Sequence, residues 1–301
     1  GVLQQADDTD IISMQLYKRQ QDALKNMPEL LKGYPIFSVP LRSYNLSNIA
    51  NIRRMLSEDV ISENNDYESL NNVKGLEDLI DDLYQSGKRV VFTMGKGGVG
   101  KTTMATNIAL GLTSRGAKVH LTTTDPANHI NYDSAIKAGI TVSRIDEVEE
   151  LEKYKNEVRS KAAPTMTAED KEVIVIDTAP TGHTLLLLDA TESYHKEVER
   201  TQGDIPNAVR NLLPRLRNSQ ETEVVIVTLP ETTPVFEAER LQKDLQRAGI
   251  PNKWWIVNSC LSLTNTKNPF LQAKASEERI WIKKVENLSN GNTALVKWDN
   301  I

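Results

Sequence analysis

A nine-residue segment, GKGGVGKTT at residues 95–103, constrains this chain more than any other part of its sequence. It fits the pattern G-x-x-x-x-G-K-[ST], in which a glycine-rich turn wraps backbone N–H groups around a phosphate. In such loops the lysine, here Lys101, places a positive charge on the outer phosphates, and the hydroxyl at Thr102 is a magnesium ligand. Residues 88–94 predict a buried strand before the loop, and residues 103–112 predict a helix after it. This order predicts a nucleotide-binding site.

Short apolar runs recur along the rest of the chain and alternate with helical patterns. They predict further strands at residues 117–123, 172–177, 223–229, 254–258 and 294–296. Nearly continuous apolar runs separated by helices are typical of a parallel sheet that is covered on both faces. We therefore predict an α/β fold with a mostly parallel sheet flanked by helices on both faces, in which ligands bind at the carboxyl ends of the strands.

The residues before the glycine-rich loop divide into two parts. Residues 10–27 and 46–56 have helical patterns, with an extended segment predicted at 34–41. This part is too small to build a core of its own. The stretch that follows is polar, as linkers are. The predicted division is a tail segment at 1–56 resembling the end of a preceding domain, a linker at 57–74 and a nucleotide-binding domain at 75–301.

Composition narrows the class of protein. The 301 residues, 39% of them hydrophobic, can bury the core of one large domain with an appendage. A net charge of -5 without a basic stripe argues against a nucleic-acid partner. A single cysteine, Cys260, rules out an internal disulfide and fits a reducing compartment. With no signal peptide and no membrane-length apolar run, the expected location is cytoplasmic. The absence of an initiating methionine suggests a fragment.

Three charged residues are candidates for catalysis or metal binding. Asp177 follows the apolar run 173–176, the arrangement of a carboxylate that holds magnesium through its water shell. Asp125, before Pro126, is the candidate that orients an attacking water. For both aspartates the alternative is a turn residue at a strand end. Lys96 is either a solvated charge or a cation that crosses to the nucleotide of a partner in a face-to-face dimer.

Other reactive side chains give weaker signals. His129 and His183 have no second ligand at metal-binding spacing, so we expect them to be structural or exposed rather than ligands. Cys260 directly follows a predicted strand and has no identifiable partner base. We therefore expect a small buried residue rather than a nucleophile.

Several of these segments resemble a known family. The loop with its extra Lys96 resembles the deviant Walker A motif of the SIMIBI-class P-loop ATPases. Residues 177–186, DTAPTGHTLL, are similar to the signal-transduction motif of the arsenite-transporting ATPase (ArsA) family. Residues 121–129 look like the switch I of that family, and residues 229–238 look like its next strand and helix.

The resemblance extends from about residue 75 to about residue 290, and it is greatest to the second half of the double-headed bacterial members. Residues 1–56 resemble the closing helices of the first half. The resemblance implies ATP and Mg²⁺ as cofactors, trans action of Lys96, water activation by Asp125 and an adenine contact at Asn258. It also implies phosphate binding by Gly97, Gly98, Val99, Gly100, Lys101, Thr102 and Thr103, magnesium binding at Thr102 and, through water, at Asp177, and a relay of nucleotide state by residues 177–184.

The chain departs from the family in two places. Family pumps bind As(III) or Sb(III) through cysteine thiolates that lie between switch I and the Walker B strand. Here Asp125 and Asp177 are 52 positions apart with no cysteine between them. Either the metalloid site is lacking or a segment is absent near residues 161–164, and we favour the absent segment. The chain also ends, after residues 295–298, without the family's purine-contacting loop, so adenine recognition is only partly supported.

The resemblance leads to three functional hypotheses. The first is an ATP-hydrolysing subunit, stimulated by arsenite or antimonite, that energises an integral membrane efflux protein and is peripheral to the membrane when bound to it. Its further partners would be another ATPase half, in the same chain or in a homodimer, and a metallochaperone. The second is a targeting factor for tail-anchored membrane proteins, which needs a Cys-x-x-Cys clasp and Met-rich helices; this chain has one cysteine and six methionines. The third is a regulatory half with slow hydrolysis.

Overall fold

A seven-stranded sheet forms the centre of the protein. The computed structural model describes residues 3, 5–46, 48–55, 73–123, 133–144, 172–178 and 214–299. Its strands are β1 (Val90–Met94), β2 (Lys118–Thr123), β3 (Thr141–Arg144), β4 (Glu172–Asp177), β5 (Thr222–Thr228), β6 (Trp255–Cys260) and β7 (Thr293–Lys297). The spatial order is β3-β2-β4-β1-β5-β6-β7, and every pairing is parallel. This confirms the predicted α/β fold.

Helices lie on both faces of this sheet. Within the described residues the helices are α1 (Ile11–Lys25), α2 (Ile49–Arg54), α3 (Leu76–Gln85), α4 (Lys101–Ser114), α5 (Asp133–Lys137), α6 (Thr232–Arg247) and α7 (Pro269–Leu288), with single 3₁₀ turns at Glu29–Leu31 and Leu261–Leu263. Helices α3 and α4 contribute to one apolar core, and α6 and α7 contribute to the other. Two separate cores, one on each face, are what a parallel sheet needs to keep both of its faces out of water.

Helix α4 is held close to the sheet because its buried face is apolar at helical spacing. Met104, Ile108 and Leu112 on that face are each about 1% exposed or less. At Gly111 the helix approaches α3 so closely that an added Cβ would lie 2.5 Å from the Cδ1 atom of Ile80. Helix α4 is therefore fixed on two sides, and so is the glycine-rich loop that precedes it.

Strand β1 lies between β4 and β5, at the centre of the sheet. After β1 the chain forms β2 and β3 on one side of β1, and β4 then fills the place between β2 and β1. The next strand, β5, lies on the other side of β1. In parallel sheets of this kind, ligands bind outside the carboxyl ends of the strands at the point where the strand order reverses. The loop after β1 occupies that point.

The N-terminal segment docks on the C-terminal part of the chain through a buried carboxylate. Asp10 is 4% exposed and caps α1 by accepting from the backbone N–H of Ser13 at 2.7 Å. Its other oxygen accepts from the Thr266 hydroxyl at 2.9 Å and from the Lys267 N–H at 2.5 Å. Ile12 and Leu16 of α1 pack beside the buried Leu271 and Trp298.

The predicted extended segment at 34–41 does not form a strand. Residues 35–39 have no regular structure, and Phe37 is 87% exposed. Pro40 forms an isolated β-bridge, and Pro35, which lacks the N–H that a strand donates to its neighbour, disfavours a longer pairing. The division at residues 56 and 74 stays a prediction, since residues 56–72 lie outside the described ranges. Within those ranges, no helix combines the length and the apolar character needed to cross a membrane.

Candidate functional site

The glycine-rich loop leaves β1 and turns into the first residue of α4. Gly98 and Gly100 have φ angles of +80° and +90°, which L side chains rarely adopt. At Gly95 an added Cβ would lie 2.2 Å from the Val227 carbonyl oxygen of β5. An added Cβ at Gly98 would meet no atom within 4 Å, so this part of the loop lines open space. Tight packing at the start of the loop and an open inner side are what a phosphate cradle requires.

The two lysines of the loop are in different environments. Lys101 is 7% exposed, and its Nζ atom donates to the Lys96 carbonyl oxygen at 3.2 Å. Its ammonium group is thereby held against the inside of the loop, where the predicted phosphates would lie. The Lys96 side chain is exposed. The loop therefore carries one nearly buried lysine and one exposed lysine.

Thr102 and Asp177 meet beneath the loop. The Thr102 hydroxyl donates to Oδ2 of Asp177 at 2.6 Å, and the Thr123 hydroxyl approaches the same oxygen at 3.3 Å. Asp177 is fully buried. In the sheet register it pairs with Thr93 of β1 on one side and with Thr123 of β2 on the other, so three strand ends meet at this carboxylate.

These oxygens suit magnesium. Mg²⁺ prefers hard oxygen ligands and keeps several of its waters, so it is typically bound by one or two protein groups together with substrate phosphates. A threonine hydroxyl at the start of α4 beside a buried carboxylate fits that pattern. In the part of the chain that the structure describes, no group of three or more His, Cys, Asp or Glu side chains could form an all-protein metal site. Thr102 and Asp177 would hold such an ion together with a bound phosphate.

Asn258, predicted to contact adenine, contacts the loop itself in this structure. Its Nδ2 atom donates to the Val99 carbonyl oxygen at 3.0 Å, and its Oδ1 atom accepts from the Ser259 N–H at 2.8 Å. An added Cβ at Gly100 would lie 2.3 Å from that same Nδ2 atom. Asn258 thus braces the loop from the end of β6, and the adenine contact stays a prediction.

A cavity of about 610 Å³ lies beside the loop. One wall is formed by Lys96, Gly97 and Val99 together with the start of α6, and another by the tail segment at residues 39–46. Arg42 and Tyr44 line this second wall. The tail segment therefore lies near the loop, which local sequence patterns did not predict.

The structure brings together some of the predicted site residues. Asp177 contacts Thr102 of the loop, and Asn258 contacts Val99 of the loop. Lys101 donates to Lys96 within the loop, and Thr103 lies in the first turn of α4. The predictions that fall outside the described residues are Asp125, His129, His183 and the stretch 179–186.

The expectation for Cys260 is confirmed. Its side chain is fully buried, and its thiol donates to the Val257 carbonyl oxygen at 3.3 Å. Burial, with a smaller effect of Glu278, raises the pKa of this thiol well above its usual value, so the reactive thiolate is disfavoured.

Two residues that support the site, Thr123 and Glu278, were not predicted from the sequence. Thr123 reaches Asp177 because β2 lies next to β4, although the strands are separated by about fifty residues of chain. Placing the predicted strand ends at one edge of the sheet would have drawn attention to this hydroxyl. Glu278, on α7, supports the end of β6 through two backbone N–H groups. No local pattern distinguishes it from the other glutamates of that helix.

Replacing Gly100 by Ala should impair the loop more than the same change at Gly116. Both glycines have a φ near +90°, so alanine at either costs about 1–2 kcal/mol of stability. At Gly116 the new Cβ meets nothing within 4 Å, whereas at Gly100 it displaces the Asn258 amide from Val99. Thermal unfolding should show a loss of stability in both variants that is larger for Gly100→Ala, and ATP titration should show a loss of affinity only for Gly100→Ala. Equal affinities would contradict the bracing role of Asn258.

Comparison with known proteins assigns the chain to a group. A sequence profile described as anion-transporting ATPase matches residues 88–172, 145–215 and 203–294, together more than half of the chain. The arsenical pump-driving ATPase of Escherichia coli is 36% identical over 331 residues, and that of Acidiphilium multivorum is 36% identical over 333 residues. Each alignment covers 98% of this chain and 57% of the relative. The ATPase ASNA1 homolog of Babesia bovis is 24% identical over 57% of this chain and 66% of its own length.

The chain thus spans little more than half the length of the bacterial relatives that it matches. The alignment with the E. coli protein, at 331 positions, is longer than the 301 residues of the chain. That relative therefore carries additional residues within the aligned region.

Proposed function

Because this chain belongs to the anion-transporting ATPase family, we propose that it binds ATP with magnesium and hydrolyses it as part of an arsenite or antimonite efflux pump. The observation that carries the proposal is the loop at residues 95–103, with buried Lys101 on its inner side and Thr102 against Asp177 beneath it. These are the parts that phosphoryl transfer needs, namely a backbone cradle, a cation at the outer phosphates and oxygen ligands for magnesium.

Each predicted site residue has a defined task in this proposal. The N–H groups of residues 97–103 bind the phosphates, and Lys101 neutralises their charge. Thr102 and, through water, Asp177 hold magnesium, which neutralises charge on the phosphates when it is bound. Asp125 orients the attacking water. Lys96, which is exposed, reaches the nucleotide bound by a second ATPase half.

Asp177→Asn should raise the magnesium concentration needed for half-maximal ATP hydrolysis by about 10- to 100-fold, as changes around a metal ion's direct ligands do. The amide keeps the shape of the carboxylate and can still accept from Thr102, but it lacks the negative charge. The measurement is a magnesium titration at saturating ATP. Glu172→Gln, at the opposite end of β4, removes a similar charge outside the site and should leave the titration unchanged. An unaltered magnesium requirement in Asp177→Asn would exclude this role.

The pump assignment rests on the bacterial relatives. The two described above are named arsenical pump-driving ATPases and are 36% identical to this chain. The expected partners are an integral membrane efflux protein, a second ATPase half and a metallochaperone, with the protein at the cytoplasmic side of the membrane. No cysteine lies between Asp125 and Asp177, so metalloid ligands would have to come from a segment that this sequence does not contain.

The test of the pump assignment is ATP hydrolysis with and without arsenite or antimonite. The full-length protein should hydrolyse ATP faster with the metalloid, and this chain alone should respond less because it lacks thiolates between the two aspartates. Absence of hydrolysis by the full-length protein would reject the proposal. Hydrolysis that ignores the metalloid would favour the regulatory half with slow turnover, which single-turnover kinetics on the isolated chain would then identify.

Targeting of tail-anchored membrane proteins is the lower-ranked alternative. The Babesia bovis relative is 24% identical and aligns with 57% of this chain, against 36% and 98% for the bacterial proteins. The single cysteine also rules out a Cys-x-x-Cys clasp within this sequence. Copurification of hydrophobic tail segments with the protein would reverse this ranking.

A further inference from the structure

The end of β6 is irregular just where it meets the glycine-rich loop. The register between β6 and β7 shifts between Val257 and Cys260. Within that bulge Ser259 has a φ of +57°, a left-handed conformation that is unfavourable for a residue with a side chain. Bulges of this kind re-aim a neighbouring side chain. Here the side chain is Asn258, whose amide donates to the Val99 carbonyl oxygen of the loop at 3.0 Å.

A single buried carboxylate holds the chain that leaves this bulge. Glu278 of α7 is 5% exposed, and its two oxygens accept from the N–H of Leu261 at 3.2 Å and from the N–H of Ser262 at 2.9 Å. Both N–H groups begin the 3₁₀ turn that directly follows β6. A buried N–H without an acceptor is costly, so the position of this turn depends on the Glu278 carboxylate.

We propose that Glu278 is a positioning residue for the nucleotide site, which fixes the end of β6 and, through Asn258, the glycine-rich loop. The effect on affinity rests on the proposed binding of ATP, whereas the effect on the loop does not. A carboxylate that accepts from both N–H groups keeps the strained bulge in place. When one acceptor is lost, the bulge relaxes and the Asn258 amide moves away from Val99, so the loop is less well organised for phosphates.

The charge on Glu278 is sensitive to pH near neutrality. Burial raises its pKa to about 7, against the opposing effects of the N–H groups of Ser262 and Leu261, the Ser262 hydroxyl and Lys274. The Cys260 thiol lies nearby in β6, and the Nζ atom of Lys274 lies 3.7 Å from Glu231 at the start of α6. Above pH 7 the carboxylate accepts from both N–H groups. Below pH 7 its hydroxyl form is a poor second acceptor, so nucleotide affinity should fall as the pH falls.

The first experiment measures the affinity for magnesium–ATP between pH 6 and pH 8. Glu278→Gln imitates the protonated state, so at pH 8 its affinity should be about three- to tenfold lower than that of the unchanged protein, the effect of one net hydrogen bond. The difference should vanish toward pH 6. Glu286→Gln, an exposed residue of the same helix, removes the same charge and provides the baseline, because ATP itself takes up a proton as the pH falls. A constant difference, or none, across this range would overturn the role of Glu278.

The second experiment needs no nucleotide. Hydrogen exchange of a peptide that covers residues 95–104 should be faster in Glu278→Gln than in Glu286→Gln at pH 8, with both proteins free of ligand. Faster exchange together with absent ATP binding would reject the proposed function and retain the positioning role. Normal ATP binding with unchanged exchange would reject the positioning role and retain the function. If Glu278→Gln did not fold, the protection of the same peptide in the unchanged protein, corrected for the intrinsic pH dependence of amide exchange, should fall from pH 8 to pH 6, and constant protection would overturn the inference.

Discussion

Lys101→Ala should weaken the binding of magnesium–ATP by about 100-fold or more. Lys101 is 7% exposed as a residue, and its ammonium group donates to the Lys96 carbonyl oxygen within the loop. Charge-assisted hydrogen bonds are worth about 1.5–3 kcal/mol each, so two such bonds to phosphate oxygens account for this loss. Because binding itself is impaired, hydrolysis at cellular ATP concentrations should be nearly abolished.

Equilibrium titration with a fluorescent ATP analogue measures this loss, and thermal unfolding tests whether the variant folds. Lys283→Ala, an exposed lysine of α7, is the matched control and should bind as the unchanged protein does. Lys101→Met keeps most of the side-chain volume and should behave as Lys101→Ala does, because the lost charge matters rather than the lost packing. Normal hydrolysis by a folded Lys101→Ala protein would refute the proposed site.

Lys96→Ala should have the opposite kinetic signature. Lys96 is exposed and is proposed to act on the nucleotide of a second ATPase half, so its loss should leave the chain's own affinity for ATP nearly unchanged. If its ammonium stabilises charge on the nucleotide of a second ATPase half, turnover should fall by about 100-fold, as with the loss of other groups that act in the transition state.

The measurements for Lys96→Ala are kcat and the ATP dissociation constant of the protein assembled with a second ATPase half. Mixing Lys96→Ala subunits with Lys101→Ala subunits tests whether Lys96 acts on the nucleotide of its own subunit or on that of the second subunit. The intact Lys96 of the Lys101→Ala subunit would then face the ATP bound by the Lys96→Ala subunit, so the mixture should recover part of the activity that each variant lacks alone, and no recovery would mean that Lys96 does not act across the interface. Parallel losses of binding and turnover would mean that Lys96 acts within its own loop.

The sheet could be predicted from the sequence because parallel strands buried on both faces leave uninterrupted apolar runs. Runs such as the one before Asp177 gave the strands of the sheet's centre with nearly correct bounds. Strand β3 was overlooked, since Thr141–Arg144 has only one apolar residue, Val142, and lies at the edge of the sheet. Edge strands are covered less completely and need fewer apolar side chains.

Only those residues of the site whose positions follow from short-range sequence spacing could be predicted. The placement of Lys101, Thr102 and Asp177 follows from a loop between a strand and a helix and from a carboxylate at the next strand's end. The contacts of Asn258 with Val99 and of Asp10 with Thr266 join segments that are 159 and 256 positions apart. Such contacts depend on the assembled sheet, and no pattern within a short window encodes them.

The docking of α1 has a consequence for how the protein is made. The groups that bind Asp10 lie at residues 266–268, and Trp298, beside which Ile12 and Leu16 pack, comes later still. At a synthesis rate of about 5–20 residues per second, α1 leaves the ribosome on the order of ten seconds to a minute before its binding surface exists. During that interval its apolar side chains have no place to bury. Ile12 and Leu16 of α1 therefore stay unpaired with their partner residues until nearly the whole described chain has been synthesised.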